Sequence, residues 1–247
     1  MISKSQISFI KSLHQKKIRK EHGLFIVEGL KSIQEFINSE YVVDSVYCTE
    51  NLMPKLDNLS RKIKPVGITE SELSRISALS TPQAILAIVQ IPQQTDLNIK
   101  KLDGSFILAL DGVQDPGNLG TIIRTADWFG LNTILCSKDT AEVYNPKVVQ
   151  ASMGSLSRVN IIYTDLGDVF SKINIPVYGA VLNGKSIYET DFGQEGIILL
   201  GNEGNGISED LIEKINYPIT IPRYGKAESL NVAISASIFC SELRRKT

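Results

Sequence analysis

The sequence predicts an α/β protein whose larger domain is a mostly parallel sheet with helices on both faces. Strand-sized apolar segments alternate with helical patterns throughout residues 104–247, and a shorter alternation of the same kind occupies residues 1–92. Between them the stretch 90–96, QIPQQTD, is polar, contains a proline and lacks periodicity, which is typical of a linker. We therefore divide the chain into a small α/β domain at 1–92, a linker at 93–103 and a second domain at 104–247.

In the first domain, one helix and two strands are predicted. Residues 30–37 place apolar side chains at the spacing of a single helical face. Apolar and β-branched residues at 42–47 and at 84–89 predict two strands. Together these elements indicate a small α/β domain.

The second domain alternates strand and helix more regularly. Its strands are predicted at 106–110, 133–136, 177–182, 196–200 and 219–221, and its helices at 119–129, at 145–153, from 208 onward and from 229 onward. Asn118, Asn145 and Ser229 are expected as N-caps, and Gly130 as the residue just beyond the first of these helices. In such sheets, ligands bind where loops leave the carboxyl ends of the strands.

Two helices of this domain have a predicted buried side. In helix 119–129 it is formed by Leu119, Ile122, Ile123 and Ala126, and in the last helix by Leu230, Ala233, Ile234 and Ile238. Arg124 lies off the first of these stripes. An exposed arginine is usually only solvated, so Arg124 needs further support before it is assigned a function.

Composition excludes several classes of protein. With 43% hydrophobic and 21% charged residues the chain is typical of a globular protein, and no apolar stretch is long enough to span a bilayer. The first residues lack the apolar core of a secretory signal, so we expect a cytoplasmic protein. Cys48, Cys136 and Cys240 are odd in number and far apart, which favours buried reduced thiols over disulfides or a metal site.

The net charge of the chain does not decide whether it binds nucleic acid. Lys and Arg total 26 against 27 Asp and Glu, whereas small nucleic-acid binders are often basic. The N-terminal segment is basic, however, and Lys16, Lys17 and Arg19 are candidates for contacts with RNA phosphates. Solvated helix faces would explain the same pattern equally well.

Three segments that follow predicted strands carry the unusual residues. The first, DGVQDPGNLGTIIRTADWFG at 111–130, is a turn leading directly into the helix that bears Arg124. The second, LLGNEGNGIS at 199–208, is a glycine-rich loop whose backbone amides can approach a ligand, with Glu203 inside it. The third, ITIPRYGKAESLNVAISASIF at 219–239, passes from a strand through a polar turn into the final helix. Each alone also fits a turn or a cap without a ligand.

Together and in this order, the three segments resemble the motifs of the SpoU/TrmH group of SPOUT methyltransferases. The resemblance is carried by D-P-G-N-L-G with R-T-A-D-W-F-G, by L-G-N-E-G-N-G and by I-P with S-L-N-V, and it covers residues 104–247. Through GLFIVEGLKSIQE at 23–35, the first domain resembles the substrate-binding domain found in part of this family. The family's activity is methyl transfer from S-adenosylmethionine to a ribose 2′-hydroxyl of RNA, so the resemblance implies that reaction.

The resemblance also implies a fold detail, an assembly and a set of site residues. The C-terminal part of the sheet is expected to form a deep trefoil knot, and the protein to be a homodimer without a metal. The cofactor is expected at Leu182, Gly201, Ile221, Pro222 and Leu230. The family's catalytic or substrate-facing positions fall on Asn118, Arg124, Glu203, Ser229 and Asn231.

The chemistry needs the weak 2′-hydroxyl nucleophile to be aligned with the activated methyl group, and its proton to leave. The family's arginine, here Arg124, is commonly described as the base. Because a guanidinium rarely gives up its proton, we favour Arg124 as an anchor for the target phosphate and for developing alkoxide charge. Deprotonation by Arg124 is the second alternative. Asn118 and Asn231 are expected to place the ribose, and Glu203 to orient Arg124 or a nearby amide.

Three other functions remain as alternatives. A nucleotide-binding oxidoreductase would need an acidic residue at the end of the next strand, where Ile221, Pro222 and Arg223 stand instead. A non-catalytic RNA-binding or assembly protein could keep the fold, but the intact motif residues argue against it. Transfer RNA is the alternative substrate, although a separate domain suited to folded RNA favours ribosomal RNA.

Overall fold

The structure is a computed structural model that describes residues 2–56, 63–93, 97–99, 102–202 and 204–245. The chain forms two compact units. One lies within residues 1–93 and 142–157, and the other within residues 94–141 and 158–247.

The first unit is built on a four-stranded sheet in the order β1-β4-β2-β3. Its strands are β1 (Leu24–Glu28), β2 (Val43–Thr49), β3 (Val66–Ile68) and β4 (Ile85–Gln90), and its N-terminal helices are α1 (Lys4–Ser12), α2 (Lys16–His22), α3 (Leu30–Ile37) and α4 (Glu70–Ile76). Strand β4 runs antiparallel to both neighbours, while β2 and β3 are parallel. The helix predicted at 30–37 is confirmed, and the two predicted strands are displaced by one or two residues.

A segment from the middle of the chain completes this first unit. Helix α6 (Pro146–Ser152) packs against β1, and the ring of Tyr144 lies 4.7 Å from that of Phe25, measured between centroids. The guanidinium of Arg19 forms an ion pair with Glu142 and donates to the carbonyls of Leu13 (2.9 Å) and His14 (2.8 Å). The helix predicted at 145–153 therefore belongs by its contacts to the first unit, although a division at residue 92 puts it in the second.

The second unit is built on a six-stranded sheet in the order β10-β8-β9-β5-β6-β7, and every pairing in it is parallel. Its strands are β5 (Phe106–Leu110), β6 (Thr133–Cys136), β7 (Asn160–Tyr163), β8 (Val177–Ser186), β9 (Gly196–Leu200) and β10 (Tyr217–Thr220), and its helices are α5 (Pro116–Trp128), α7 (Leu166–Lys172), α8 (Glu209–Ile212) and α9 (Val232–Arg245). The predicted mostly parallel α/β fold is confirmed. Strands β5, β6 and β9 have the predicted bounds.

Both faces of the central strands are buried. Ile107 and Ala109 of β5 join an apolar cluster with Leu166 of α7 and Leu211 of α8. Leu108 points to the opposite face and is also fully buried. Helix α9 packs against β9, and helix α5 packs against β6. Continuous apolar strands are what a sheet covered on both faces requires.

Two helix caps differ from the prediction. Asp115, not Asn118, caps α5, because its Oδ1 accepts from the backbone N–H of Asn118 at 2.8 Å. Helix α9 begins at Val232, and the residue before it, Asn231, caps the helix in place of Ser229. The prediction failed because several residues of each polar turn are good caps, and only the backbone path decides among them. At the other end of α5, Gly130 has φ +68° and follows the helix as predicted.

The predicted buried side of α9 is also partly wrong. Ala233 is buried, but the side chains of Leu230 and Ile234 are 48% and 51% exposed. The later helix start explains the first error, since Leu230 lies in the loop before the helix. In the described part of the chain, no helix is long and apolar enough to cross a membrane.

Candidate active site in the second unit

A cavity of about 1000 Å³ opens beside the middle of β8 and the ends of β9 and β10. Its walls come from the central residues of β8, from the end of β10, from the loops after β9 and β10, from α8 and from the residues before and within α9, and include Leu182, Asn183, Gly201, Asn202, Ile207, Ile212, Ile219, Ile221, Pro222, Tyr224, Ser229 and Leu230. This is the edge of a parallel sheet at which ligands are expected. All five residues predicted to hold the cofactor line this one cavity.

The glycine-rich loop after β9 folds back on itself. Asn202 and Gly206 pair through both backbone hydrogen bonds at 2.9 Å, and Gly206 has φ +72°. A Cβ on Gly201 would lie 2.2 Å from the carbonyl carbon of Gly206. Gly201 is therefore required by the loop's own close approach. This requirement holds whether or not a ligand is bound.

Two side chains fasten this loop to the turn after β5. The Nδ2 of Asn202 donates to the carbonyl of Gly112 at 2.7 Å, while its Oδ1 accepts from the backbone N–H of Gly204 at 2.8 Å. The carboxylate of Asp111 accepts from the backbone N–H of Ser208 at 2.7 Å. The first two motif segments are thus held together by neutral and charge-assisted hydrogen bonds. Neither Asp111 nor Asn202 is among the predicted site residues, although both belong to the polar motif segments.

A side-chain hydrogen bond joins the first and third motif segments. Asn231 Nδ2 donates to Asn118 Oδ1 at 3.0 Å, and Asn231 Oδ1 accepts from the backbone N–H groups of Ala233 and Ile234. Asn231 therefore both caps α9 and contacts α5. These two predicted site residues are brought together.

Of the other three predicted catalytic residues, the structure describes Arg124 and Ser229. Arg124 is exposed on α5, away from that helix's buried residues, as predicted. Ser229 is an exposed residue of the cavity wall. Glu203 lies outside the residues that the structure describes.

The predicted RNA contacts divide into two kinds. Lys16 and Lys17 are exposed at the start of α2. Arg19 is only 2% exposed, and its guanidinium is occupied by Glu142 and two carbonyls, so its assignment to RNA is wrong. A spacing of two residues along a helix turns a side chain to a different face, which the basic composition of the segment concealed.

The three cysteines are free and buried, as predicted. Burial raises the pKa of Cys136 far above its usual range and that of Cys240 to about 12. These thiols therefore supply no nucleophile at neutral pH. Among the described residues no group of three or more His, Cys, Asp or Glu side chains is arranged to hold a metal.

The cavity fits the cofactor implied by the motif resemblance. Pockets for ligands of this size are mostly apolar with a few convergent polar groups. Here Ile212, Ile219 and Leu230 provide apolar wall, and Asn183, Asn205 and Ser229 are among the polar residues of the lining. Such surroundings suit an adenine ring and the polar parts of a nucleoside and an amino acid.

Comparison with known families gives two matches. Residues 105–241 match the model of the SpoU rRNA Methylase family, and residues 4–87 match the model of the MRM3-like substrate binding domain. Among curated proteins, the chain is 33% identical over 238 residues to the "23S rRNA (guanosine(2553)-2'-O)-methyltransferase RlmP" of Bacillus subtilis, covering 95% of this chain and 94% of that protein.

Two solved structures are also similar to the chain over its whole length. A TrmH-family protein from Porphyromonas gingivalis is 39% identical, with a TM-score of 0.89 and full coverage of both chains. The AdoMet-bound rRNA methyltransferase from Sinorhizobium meliloti is 28% identical, with a TM-score of 0.87, covering 100% of this chain and 97% of that one.

Proposed function

The chain belongs to the SpoU rRNA methylase family, and on that premise we propose that its substrate is structured ribosomal RNA. As in the family, the reaction is transfer of a methyl group from S-adenosylmethionine to a ribose 2′-hydroxyl. The observation that carries the proposal is the gathering of the three motif segments at one edge of the sheet. There the loops of two segments line the cavity, and the first is bonded to both.

Ribosomal RNA is favoured over transfer RNA for two reasons. The first domain resembles a module for substrate binding over most of its length, and recognition of a folded RNA by shape needs such additional surface. The relative from Bacillus subtilis, similar over nearly the whole chain, is named for a 23S rRNA guanosine. On the same grounds we assign RNA recognition to the domain at 1–92 and place the protein in the cytoplasm with its substrate.

In the proposed site, the cofactor is held by Leu182, Gly201, Ile221, Pro222 and Leu230, all of which line the cavity. The bound cofactor supplies an activated methyl group on a sulfonium. The task of the protein is then to exclude water, to hold the ribose in line and to stabilise the oxygen as its proton leaves.

We propose Arg124, Asn118, Asn231, Ser229 and Glu203 for that task. The exposed guanidinium of Arg124 anchors the target phosphate and offers donors to developing charge on the 2′-oxygen. The hydrogen bond from Asn231 to Asn118 sets the position of α9 relative to α5, so that the ribose meets preorganised groups. Ser229 supplies a hydroxyl at the cavity wall. For Glu203 we propose the orientation of Arg124 or of a neighbouring amide.

We also propose the trefoil knot that the family resemblance implies. Its support is the family match over residues 105–241. The strands concerned, β8 and β10, pair closely: Thr220 Oγ1 donates to the carbonyl of Leu182 at 3.0 Å, and a Cβ on Gly184 would lie 2.6 Å from the backbone of Pro218, where the register of the pair shifts. Gly184 is therefore needed for this close pairing of neighbouring strands.

A homodimer is proposed for the same family reason. Helices α5 and α9 pack together, and each leaves a large apolar side chain in water: Trp128 of α5 is 84% exposed and Ile234 of α9 is 51% exposed. Exposed apolar side chains on neighbouring helices are suited to a symmetric contact with a second copy. Light scattering of active protein at micromolar concentration should give twice the chain mass, and a monomer would contradict the proposal.

The substrate is tested by mapping 2′-O-methyl groups on total RNA from a deletion strain. One ribosomal RNA position should lose its methyl group and recover it when the wild-type gene is returned. A strain that carries Arg124→Ala should not recover it. A lost methyl group on transfer RNA would replace the proposed substrate, and an unchanged methylation map would refute the proposed activity.

A further inference from the structure

Tyr224 is the most exposed of the large apolar and aromatic side chains in the described part of the chain. Its side chain is 93% exposed, although it belongs to the segment that walls the cavity between β10 and α9. Most of its ring therefore faces solvent beside the site and adds little to the cavity wall. An isolated exposed aromatic is ordinary, but its location at a substrate-facing edge calls for a specific partner.

The turn that contains Tyr224 is stabilised by a hydrogen bond between two of its own residues. Arg223 Nη1 donates to the carbonyl of Ala227 at 3.3 Å, which closes the loop around Tyr224. Lys226, also in this turn, is exposed. The chain therefore presents a ring and a flexible positive charge together, on a short closed loop that leads to Ser229.

Ring and charge together match the chemistry of single-stranded RNA. Unstacked bases bind to exposed aromatic rings, and the adjoining phosphates bind to lysine and arginine. A nucleotide that leaves regular stacking to enter a cavity loses its stacking energy, and a replacement stacking surface beside the cavity lowers the cost of that change.

We propose that Tyr224 stacks on a nucleobase of the RNA, at or next to the methylated nucleotide, and that Lys226 contacts an adjoining phosphate. This inference rests on the proposed function and adds a residue that selects and positions the substrate. Tyr224 acts on RNA binding and takes no part in the reacting bonds.

The test compares three full-length variants. Tyr224→Ala removes the ring, Tyr224→Phe keeps it, and Tyr188→Ala removes another exposed tyrosine of the second unit that does not line the cavity. The substrate is bulk ribosomal RNA from the deletion strain. Loss of one stacked base should raise KM on the order of five- to a hundredfold in Tyr224→Ala, with much smaller changes in the other two variants.

Cofactor affinity and oligomeric state separate this role from two others. S-adenosylhomocysteine should bind Tyr224→Ala as it binds the wild type, and the mass in solution should not change. A parallel loss of cofactor affinity would assign the ring to the cofactor, and a change of mass would assign it to a subunit contact. Either result, or an unchanged KM, would overturn the inference.

RNA affinity keeps this test independent of the proposed function. If the wild type methylates no RNA, the proposed function fails, and Tyr224 is then judged by filter binding of the same RNA. The alanine variant should still bind more weakly than the phenylalanine variant. Equal affinities would overturn the role of Tyr224 by themselves.

Discussion

Asn231 joins two helices through opposite ends of one amide. Its Oδ1 accepts from the backbone N–H groups of Ala233 and Ile234 in the first turn of α9, while its Nδ2 donates to Asn118 Oδ1 on α5 at 3.0 Å. Each function needs a different atom, so the two can be separated by a single substitution. This is why asparagine, and not simply any capping residue, is suited to the position.

We expect Asn231→Ser to keep the cap and lose the bridge. Serine caps helices as well as asparagine, but its short side chain carries no amide to donate to Asn118. Thermal stability should change little, while kcat/KM falls about three- to tenfold, the equivalent of one hydrogen bond of ~0.5–1.5 kcal/mol. The matched control is Asn145→Ser, since Asn145 also caps its helix, α6, through its side-chain oxygen. Equal activities of the two variants would show that the bridge is unimportant.

Arg124→Ala should spare the fold and the binding of S-adenosylhomocysteine, because Arg124 is exposed and off the buried side of α5. Loss of one preorganised donor should cost about 3 kcal/mol of transition-state stabilisation, or roughly a hundredfold in kcat. Near-normal turnover would remove Arg124 from the mechanism.

Arg124→Lys then distinguishes anchor from base. The lysine keeps the charge but loses the planar fork, so activity should recover only in part. If lysine acts as a base, activity rises steeply as the pH approaches the pKa of a lysine side chain. If kcat does not depend on pH in this way, the side chain at position 124 acts as an anchor for the phosphate and for the developing charge.

Gly201→Ala should disturb the glycine loop itself, because the new Cβ would lie 2.2 Å from the Gly206 carbonyl carbon. The three nearest atoms all belong to the backbone of Gly206 and Ile207, which cannot move aside as a flexible side chain could. We expect affinity for S-adenosylhomocysteine to fall at least tenfold, measured by calorimetry, together with a lower melting temperature. Gly225→Ala, in the same cavity wall but with open space around its Cα, should retain affinity. Normal binding by the Gly201 variant would contradict this account.

Glu142→Ala should destabilise the first unit strongly, because it leaves the charge of Arg19 buried without its carboxylate. Breaking a buried pair from one side typically costs about 3–5 kcal/mol. Asp168→Ala, which breaks the exposed pair with Lys172, should cost no more than about 0.5 kcal/mol. Urea unfolding measures both, and similar losses would show that burial of Arg19 is unimportant.

The packing of α6 within the first unit affects how the proposed role of residues 1–92 in RNA binding should be tested. Deleting residues 1–92 would strip α6 of the surface on which it packs, so the remaining chain exposes apolar side chains such as Val148 and Val149. Charge reversal is the cleaner test, and it should be confined to exposed lysines. Lys16→Glu with Lys17→Glu should weaken RNA binding and reduce its dependence on salt by about two phosphate contacts. Unchanged binding, in protein with an unchanged melting temperature, would leave these lysines as a solvated surface.

The sequence by itself determined what depends on local pattern. Three strands were predictable because each is a short apolar run between turn-forming residues: 106–110, 133–136 and 196–200. This pattern can be recognised without knowing the fold. The motif segments could be located for the same reason, because each follows directly on a strand. Periodicity also placed Arg124 correctly, since the exposed side of α5 follows from helical spacing alone.

Only the tertiary structure decided which side chains meet across long separations. Asn118 and Asn231 are 113 residues apart, and Arg19 and Glu142 are 123 apart, so no local pattern pairs them. The assignment of Arg19 to RNA was wrong because an exposed and a buried arginine look alike until a distant carboxylate is placed. The need for glycine at position 201 is also decided by tertiary structure, because the loop's close approach to its own backbone depends on the path of the chain. Contacts of this kind are set by the packing of the whole unit, and sequence spacing does not encode them.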